Sequence, residues 1–376
     1  MKIVFTGGGT GGHFYPMIAV VERVNKIIDD ENILGAKLYY FSDSPYDKEM
    51  LFANGLQFEE VSAGKRRLYS SSRNFLDLFK IGLGTISAIF KLFSIYPDVV
   101  FGKGGYASFP TILAARLLGI PVMIHESDTA PGRVNKWAGK FAKRVAVSFK
   151  EAGEFFPAKK VAWTGQPILI ETENRALQAE ALEYFKFESK IPVVVVFGGS
   201  QGAELINNTV LDALPRLVQN FQIIHQVGVK NFKAVKDQAD VVLLDNPNKL
   251  RYLPMAFLNP LLLKMAAGAA TLIVGRSGSF LFEFASWGLP SILIPITNSH
   301  DDHQRKNAYS YARAGACEVV EENNMTANIL ASEIERITGD ERAMKTMAEN
   351  AKAFHHKDAA EKIARELANI ALSHEK

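Results

Sequence analysis

Residues 2–28 read KIVFTGGGTGGHFYPMIAVVERVNKII, and residues 191–217 read IPVVVVFGGSQGAELINNTVLDALPRL. Each stretch is a short apolar run rich in β-branched residues, then a glycine-rich turn, then apolar residues at helical spacing. The first continues into KLYYFS, a second strand ending near Asp43, which completes a βαβ unit. The alternation carries on through PDVVFGKGG, PTILAARLLG, IPVMIHES and KRVAVSF, and restarts near residue 190. In the second half FQIIHQVG, ADVVLLD, ATLIVGRSGS and PSILIPI read as further strands. Short all-apolar strands suit parallel sheets covered on both faces. The expected fold is therefore α/β, two Rossmann-like parallel-sheet domains in tandem, with a linker near TGQPILIETEN. The domains are expected at residues 1–165 and 166–354, and the amphipathic stretch DAAEKIARELANIAL, within about 355–376, is expected to pack back on the first.

A chain of 376 residues is long enough for two domains, each burying its own core. With 48% apolar and 22% charged residues the composition is that of a globular protein, neither disordered nor fibrous. The net charge of +3 is too small to point to nucleic acid, and none is expected as a partner. Cys317 stands alone, which excludes an internal disulfide or a cysteine-based zinc cluster and fits a reducing cytoplasm. The opening apolar run breaks at Gly7, too early for a secretory signal, and the apolar stretch at 74–97 is interrupted by Asp77, Lys80 and Lys91, too often for a spanning helix.

Glycines after a parallel strand let a ligand approach the backbone, while the N–H groups opening the next helix attract phosphate. Gly7, Gly9 and Gly12 also fit the dinucleotide pattern GxGxxG, with Asp43 as a candidate ribose ligand, so an NAD-dependent oxidoreductase is one reading. The spacing to Asp43 is longer than the usual roughly twenty residues. A second glycine turn in the equivalent place of the second half favours a different arrangement: an interdomain cleft holding an acceptor against one loop and a nucleotide sugar against the other.

Seven motifs give that arrangement a name. GGGTGGHFYP, FGKGGYASFP, HESDTAPGRVNK, TGQPI, GGSQGAELIN, HQVG and GRSGSFLFEFASWGLPSILIPITNSHDDHQRKNA occur in this order from Met1 to about Asn307. In this the chain resembles the MurG family, the undecaprenyl-diphospho-muramoylpentapeptide N-acetylglucosaminyltransferases of bacterial cell-wall synthesis. The resemblance implies a GT-B fold and an inverting, metal-independent transfer of GlcNAc. The donor is UDP-N-acetylglucosamine, the acceptor is the C4 hydroxyl of the lipid-linked muramoyl-pentapeptide, lipid I, and the product is lipid II. No cofactor is implied. It also implies a peripheral enzyme on the cytoplasmic face of the cell membrane, with other cell-wall synthesis enzymes as possible partners.

Inverting transfer needs a base for the attacking hydroxyl and positive potential for the departing UDP. His13, presented by the first glycine loop, titrates in the range a base requires, and its alternative role is to hold the acceptor or orient the loop. Thr10, Gly11 and Gly12 fall beside it on the acceptor side. By resemblance Tyr106 and Asp128 line the same side, with Asp128 the competing base; Glu126 and His125 precede Asp128 at a strand end, where active-site residues of parallel sheets collect, and His125 is either part of that set or a core histidine. On the donor side the turn of Gly199, Ser200, Gln201 and Gly202 is the anion site, with the α-phosphate at Ser200. There the resemblance gives Glu283 the ribose and His303 and Gln304 the sugar hydroxyls. The run from Lys65 places Arg66 and Arg67 before an apolar helical face that includes Phe75, Phe79 and Leu83, a combination suited to anionic lipid.

Three positions depart from the family pattern. Asp128 stands where asparagine is common, and Leu169 stands where an arginine usually lies near the nucleotide. RSGSFLFE is one residue shorter than the usual arginine-to-glutamate spacing. These departures keep a non-catalytic membrane-docking protein as a rival, which retention of His13, Glu283 and Gln304 opposes. Another rival is a GT-B enzyme with a different lipid acceptor, such as diacylglycerol; the motifs GKGGYASFP and HESDTAPG argue against it.

Overall fold

The structure, a computed structural model, describes residues 1–64, 73–198, 202–297 and 302–373, and the side chains of the helix at 73–95 from residue 79 onward. The chain forms two compact units, Met1–Leu169 with His356–Lys376, and Ile170–His355.

In the first unit the strands are β1 (Lys2–Thr6), β2 (Lys37–Ser42), β3 (Leu56–Glu60), β4 (Val99–Gly102), β5 (Val122–Glu126), β6 (Arg144–Val147) and β7 (Val161–Trp163). They pair in the order β3-β2-β1-β4-β5-β6-β7, every described pair parallel. The chain direction along the sheet reverses between β1 and β4, which opens a crevice at the carboxyl edge where ligands of such sheets bind. Helices α1 (Gly11–Asp30), α2 (Lys48–Ala53), α3 (Arg73–Ile95), α4 (Phe109–Leu117) and α5 (Arg133–Ala138) connect the strands. On one face Ile18, Val21 and Val24 of α1 share a core with Ile363, Leu367 and Ile370 from the last helix of the chain. On the other, Ala88 and Leu92 of α3 meet Ile112 and Ala115 of α4.

The second unit repeats the plan with β8 (Val193–Phe197), β9 (Gln222–Gln226), β10 (Tyr252–Met255), β11 (Leu272–Gly275), β12 (Ser291–Leu293) and β13 (Cys317–Val319). Their order is β10-β9-β8-β11-β12-β13, again parallel, with the reversal between β8 and β11. Its helices begin with α6 (Ile170–Glu173), α7 (Gln178–Phe185), α8 (Glu204–Asn220), α9 (Phe232–Val242) and α10 (Pro260–Ala269). They continue with α11 (Leu281–Trp287), α12 (His303–Arg313), α13 (Ala327–Thr338) and α14 (Glu341–Phe354). The closing helix α15 (Ala359–Leu372) belongs to the first unit.

One expected strand is wrong. ADVVLLD lies at the end of α9 and the turn after it, and the strand of that region is β10 instead. The apolar run is ambiguous by composition, but Val235, Ala239 and Leu243 are buried at intervals of four, a helical period, while Val241 and Leu244 face solvent. β10 ends its sheet and carries Pro254, a residue that strand edges tolerate.

Candidate active site

At the carboxyl edge of the first sheet, the segments following β1, β4, β5 and β7 converge. Thr10, in extended conformation, is the N-cap of α1 and its own side chain bonds none of the amides of the first turn, which starts at Gly11 and Gly12; the Gly11 N–H donates to the Tyr46 hydroxyl. The amides of that turn and the positive end of α1 face the edge of the sheet, an arrangement that favours an anion. His13 follows in the same turn. The β4 loop closes on it: Gly105 has φ +78°, and a Cβ there would lie 3.2 Å from His13 Cδ2 and 3.0 Å from the Gly8 carbonyl oxygen. Only glycine combines that left-handed backbone with so close an approach.

Tyr106 covers the glycine loop, its ring 2.8 Å from where a Cβ on Gly9 would stand. Its hydroxyl donates to Asp43 Oδ2 at 2.9 Å. Burial, with the adjoining carboxylate, pushes the phenol up to about 12, so it remains a donor at neutral pH. Asp43, the candidate ribose ligand of the dinucleotide reading, is thus engaged by Tyr106.

Lys103, the residue after β4, is a charged side chain only 1% exposed. Its Nζ donates to His125 Nδ1 at 2.6 Å and to Ser127 Oγ. Ser127 Oγ donates in turn to Gln166 Oε1 at 3.0 Å, which also accepts from Ser148 Oγ at 2.8 Å. His125 Nε2 faces the Gly165 carbonyl at 3.1 Å, which assigns the proton to Nε2 and leaves Nδ1 to accept from the lysine. Burial first, and then the Lys103 ammonium, hold this imidazole well below its ordinary range. His125 is therefore a neutral, fully buried link, and of its two readings the structure supports the core histidine.

Glu126 is buried, and both its oxygens serve the loop that follows. Oε1 accepts from the Asp128 N–H at 3.0 Å, while Oε2 accepts from the Gly132 N–H at 3.1 Å and Asn135 Nδ2 at 2.9 Å. Burial, and then repulsion from Asp128, push its carboxyl upward. Asp128 itself is half-buried.

At the carboxyl edge of the second sheet, Gly199, Ser200 and Gln201 lie outside the described residues. Gly202 has φ +78°, and a Cβ there would collide with the Val227 carbonyl and stand 2.5 Å from Asn231 Nδ2, so glycine is required where the turn leads into α8. Glu283 sits in the first turn of α11. Its Oε2 is buried with no hydrogen-bond partner among the described residues, and burial pushes the carboxyl up to about 8. Such an oxygen suits a ligand hydroxyl, whose hydrogen bond would offset the cost of burying it.

Gln304, the second residue of α12, is held from two sides. Its Oε1 accepts from the Ile296 N–H at 3.2 Å and its carbonyl from Ser277 Oγ at 2.7 Å. His303 opens the same helix, after Asp302 at φ +56°. Beneath them Arg276 bonds the Ile294 carbonyl at 2.9 Å and Glu322 at 2.6 Å, while Glu322 Oε2 accepts from the Thr297 N–H at 2.9 Å. Despite partial burial, which raises it, the Glu322 carboxyl is held low by the Thr297 N–H and Arg276.

Of the membrane residues, Arg66, Arg67 and the Phe75 side chain lie outside what is described. Phe79 and Leu83 are 65% and 59% exposed, and Ile86, Phe90 and Phe93 continue the same open face of α3. Among the described residues, no helix is long and apolar enough to cross a membrane. Leu169, where the family pattern has arginine, is buried in the apolar core that α1 shares with α15.

Lys103 and the Arg276–Glu322 pair were not singled out from the sequence. For Lys103 a signal exists: a lysine directly after an all-apolar strand and before two glycines stands at the carboxyl edge of a sheet.

Comparison with known proteins follows the same division. Residues 3–147 match the glycosyltransferase family 28 N-terminal domain and residues 193–363 its C-terminal domain. A UDP-N-acetylglucosamine–N-acetylmuramyl-(pentapeptide) pyrophosphoryl-undecaprenol N-acetylglucosamine transferase from Pediococcus pentosaceus is 34% identical, over 96% of this chain and 98% of its own. A protein of the same name from Halothermothrix orenii is 35% identical over 94% of each chain. Among solved structures, Acinetobacter baumannii MurG superimposes with a TM-score of 0.74 at 26% identity, covering 98% of this chain and 99% of the other. A putative UDP-N-acetylglucosamine 2-epimerase from Listeria monocytogenes, 14% identical, shares the fold with a TM-score of 0.71, covering 100% of this chain and 96% of its own. The chain belongs to glycosyltransferase family 28, in its MurG branch.

Proposed function

We propose that this protein transfers GlcNAc from UDP-GlcNAc to the C4 hydroxyl of lipid I, forming lipid II with inversion at the anomeric carbon. The observation that carries the reading is likeness along nearly the whole chain to transferases of that name. Inverting displacement requires the hydroxyl to lose its proton as it attacks the anomeric carbon opposite the departing UDP. His13 is the base. Asp128 accepts hydrogen bonds from the acceptor sugar. The amides opening α1 take the acceptor diphosphate, and Tyr106 donates to the acceptor from above the glycine loop.

On the donor side the turn ending at Gly202 takes the UDP diphosphate, Glu283 the ribose hydroxyls, and His303 and Gln304 the sugar. The open apolar face of α3, following Lys65, Arg66 and Arg67, attaches the enzyme to the cytoplasmic face of the membrane, where the lipid acceptor resides. The reaction needs no metal.

The test is incubation with radiolabelled UDP-GlcNAc and a short-chain lipid I analogue in the presence of EDTA. Labelled disaccharide lipid is expected. Absence of transfer, together with tight NADH binding, would overturn the reading in favour of a dinucleotide enzyme.

A further inference from the structure

Burying an ammonium without compensation is costly, and Lys103 is more deeply buried than any role at the surface would require. Its hydrogen bonds go to two neutral groups, His125 Nδ1 and Ser127 Oγ. Neutral acceptors replace hydration but do not balance charge. The balancing charge has to come from the carboxylates on either side of Ser127, namely Glu126 and Asp128. Glu126 is already committed to three loop donors. The groups of titratable type around Lys103 are therefore His125, Glu126 and Asp128 on β5 and its loop, with His13 approaching from α1. Ser148, Gln166 and Asn135, from β6, the segment after β7, and α5, complete the surroundings without titrating.

We propose that Lys103 is a positioning residue of the acceptor edge: its ammonium fixes Ser127 and His125, and so holds the 126–128 segment in place with its charge set against the Asp128 carboxylate. The inference rests on the transferase reading for its catalytic consequence, though not for the charge coupling itself. An ionised Asp128 can only accept hydrogen bonds, which is what orienting a sugar hydroxyl demands. A protonated one would offer a donor in its place. Burial, and then repulsion from Asp128, raise the Glu126 carboxyl, and the Lys103 cation counteracts part of that rise. In agreement, burial lowers the lysine, while Glu126 first and Asp128 second counteract this by favouring its charged form.

Lys103→Gln separates charge from hydrogen bonding, since the amide still donates to Ser127 or His125; Lys103→Met removes both. Removing a cation raises the pKa of every neighbouring acid. With the Gln variant, kcat/KM for the lipid I analogue should fall about tenfold or more below neutrality and recover as the pH rises, its acid limb moved upward by about one unit. UDP affinity should stay within about twofold, because the second unit is untouched. In a D128N background the same substitution should move the limb clearly less, the remainder belonging to His13 and Glu126. An unchanged limb, or a shift of equal size in D128N, overturns the proposal.

A second arm does not require activity. Urea midpoints of wild type, K103Q, D128N and the double variant form a cycle in which Lys103→Gln is expected to cost clearly less once Asp128 is gone. Equal cost in both backgrounds means that no charge coupling exists, and overturns the proposal even in an active enzyme. Coupling found in a protein that transfers no GlcNAc upholds the Lys103–Asp128 pairing and overturns the substrate reading instead.

Discussion

The two sheets share strand order and both place a glycine turn at the reversal of chain direction, yet what surrounds those turns differs in kind. After β1 and β4 the first unit gathers His13, Lys103, His125, Glu126 and Asp128, a set rich in groups that gain or lose protons. After β8 and β11 the second unit has a turn that enters α8 through an obligatory glycine and, among the described residues, the carboxyl of Glu283 with an unsatisfied oxygen. Beside it the Arg276–Glu322 pair holds a loop. In the proposed function one edge moves a proton and the other holds an anionic, hydroxyl-rich ligand. A shared topology thus divides into chemistry and binding through a handful of side chains, as expected when function is grafted onto a common scaffold.

The sharpest way to break this comparison is to remove the base. His13→Ala is expected to lower turnover by about 10²–10⁴-fold with UDP affinity unchanged. If Asp128→Asn abolishes turnover while His13→Ala barely matters, the two residues exchange roles. Next in size, Glu283→Ala should weaken UDP binding about tenfold to a hundredfold in a fluorescence titration, leaving acceptor KM alone. A loss confined to kcat would remove Glu283 from the donor site. On α3, Phe90→Ser should lower partition onto anionic vesicles about tenfold, since an exposed phenyl ring would no longer be buried in lipid. Unaltered partition would leave the open face of α3 without its proposed role.

Glu322→Gln is expected to raise the donor KM several-fold by loosening the Thr297 N–H and Arg276 from their shared carboxylate. The smallest effect is on stability. The folded Glu283 carboxyl keeps its proton up to about pH 8, while the unfolded one releases it near its ordinary value of 4.5. The folded state then binds more protons between these values, so this group's contribution is greatest below pH 4.5 and is lost as the pH rises toward 8. Urea midpoints measured at pH 5 and pH 8 should fall less in E283Q than in wild type, and an identical fall would show that Glu283 titrates normally.

Much of the scaffold was legible because it is written locally. A buried strand, a glycine turn and a helix occupy consecutive residues, so β1–α1 and β8–α8 could be read from spacing alone. ADVVLLD failed because a short apolar run does not distinguish a strand from one turn of a buried helix face. The polar groups that organise the site are long-range. Tyr106 meets Asp43 across 63 positions, Arg276 meets Glu322 across 46, and Lys103 reaches Ser127 across 24. No local pattern encodes such pairs, and they exist only once the sheet order brings the strand ends together. Leu169 is similar: as a letter it suggested a lost contact, whereas in the fold it fills an apolar core.

The division between the two edges is tested most directly by hydrogen exchange with and without UDP. The account predicts protection of the amides that open α8 and of those around Glu283 and Gln304, with Gly7–His13 unchanged. Protection at Gly7–His13 with none near α8 would contradict it and put the nucleotide on the first glycine loop.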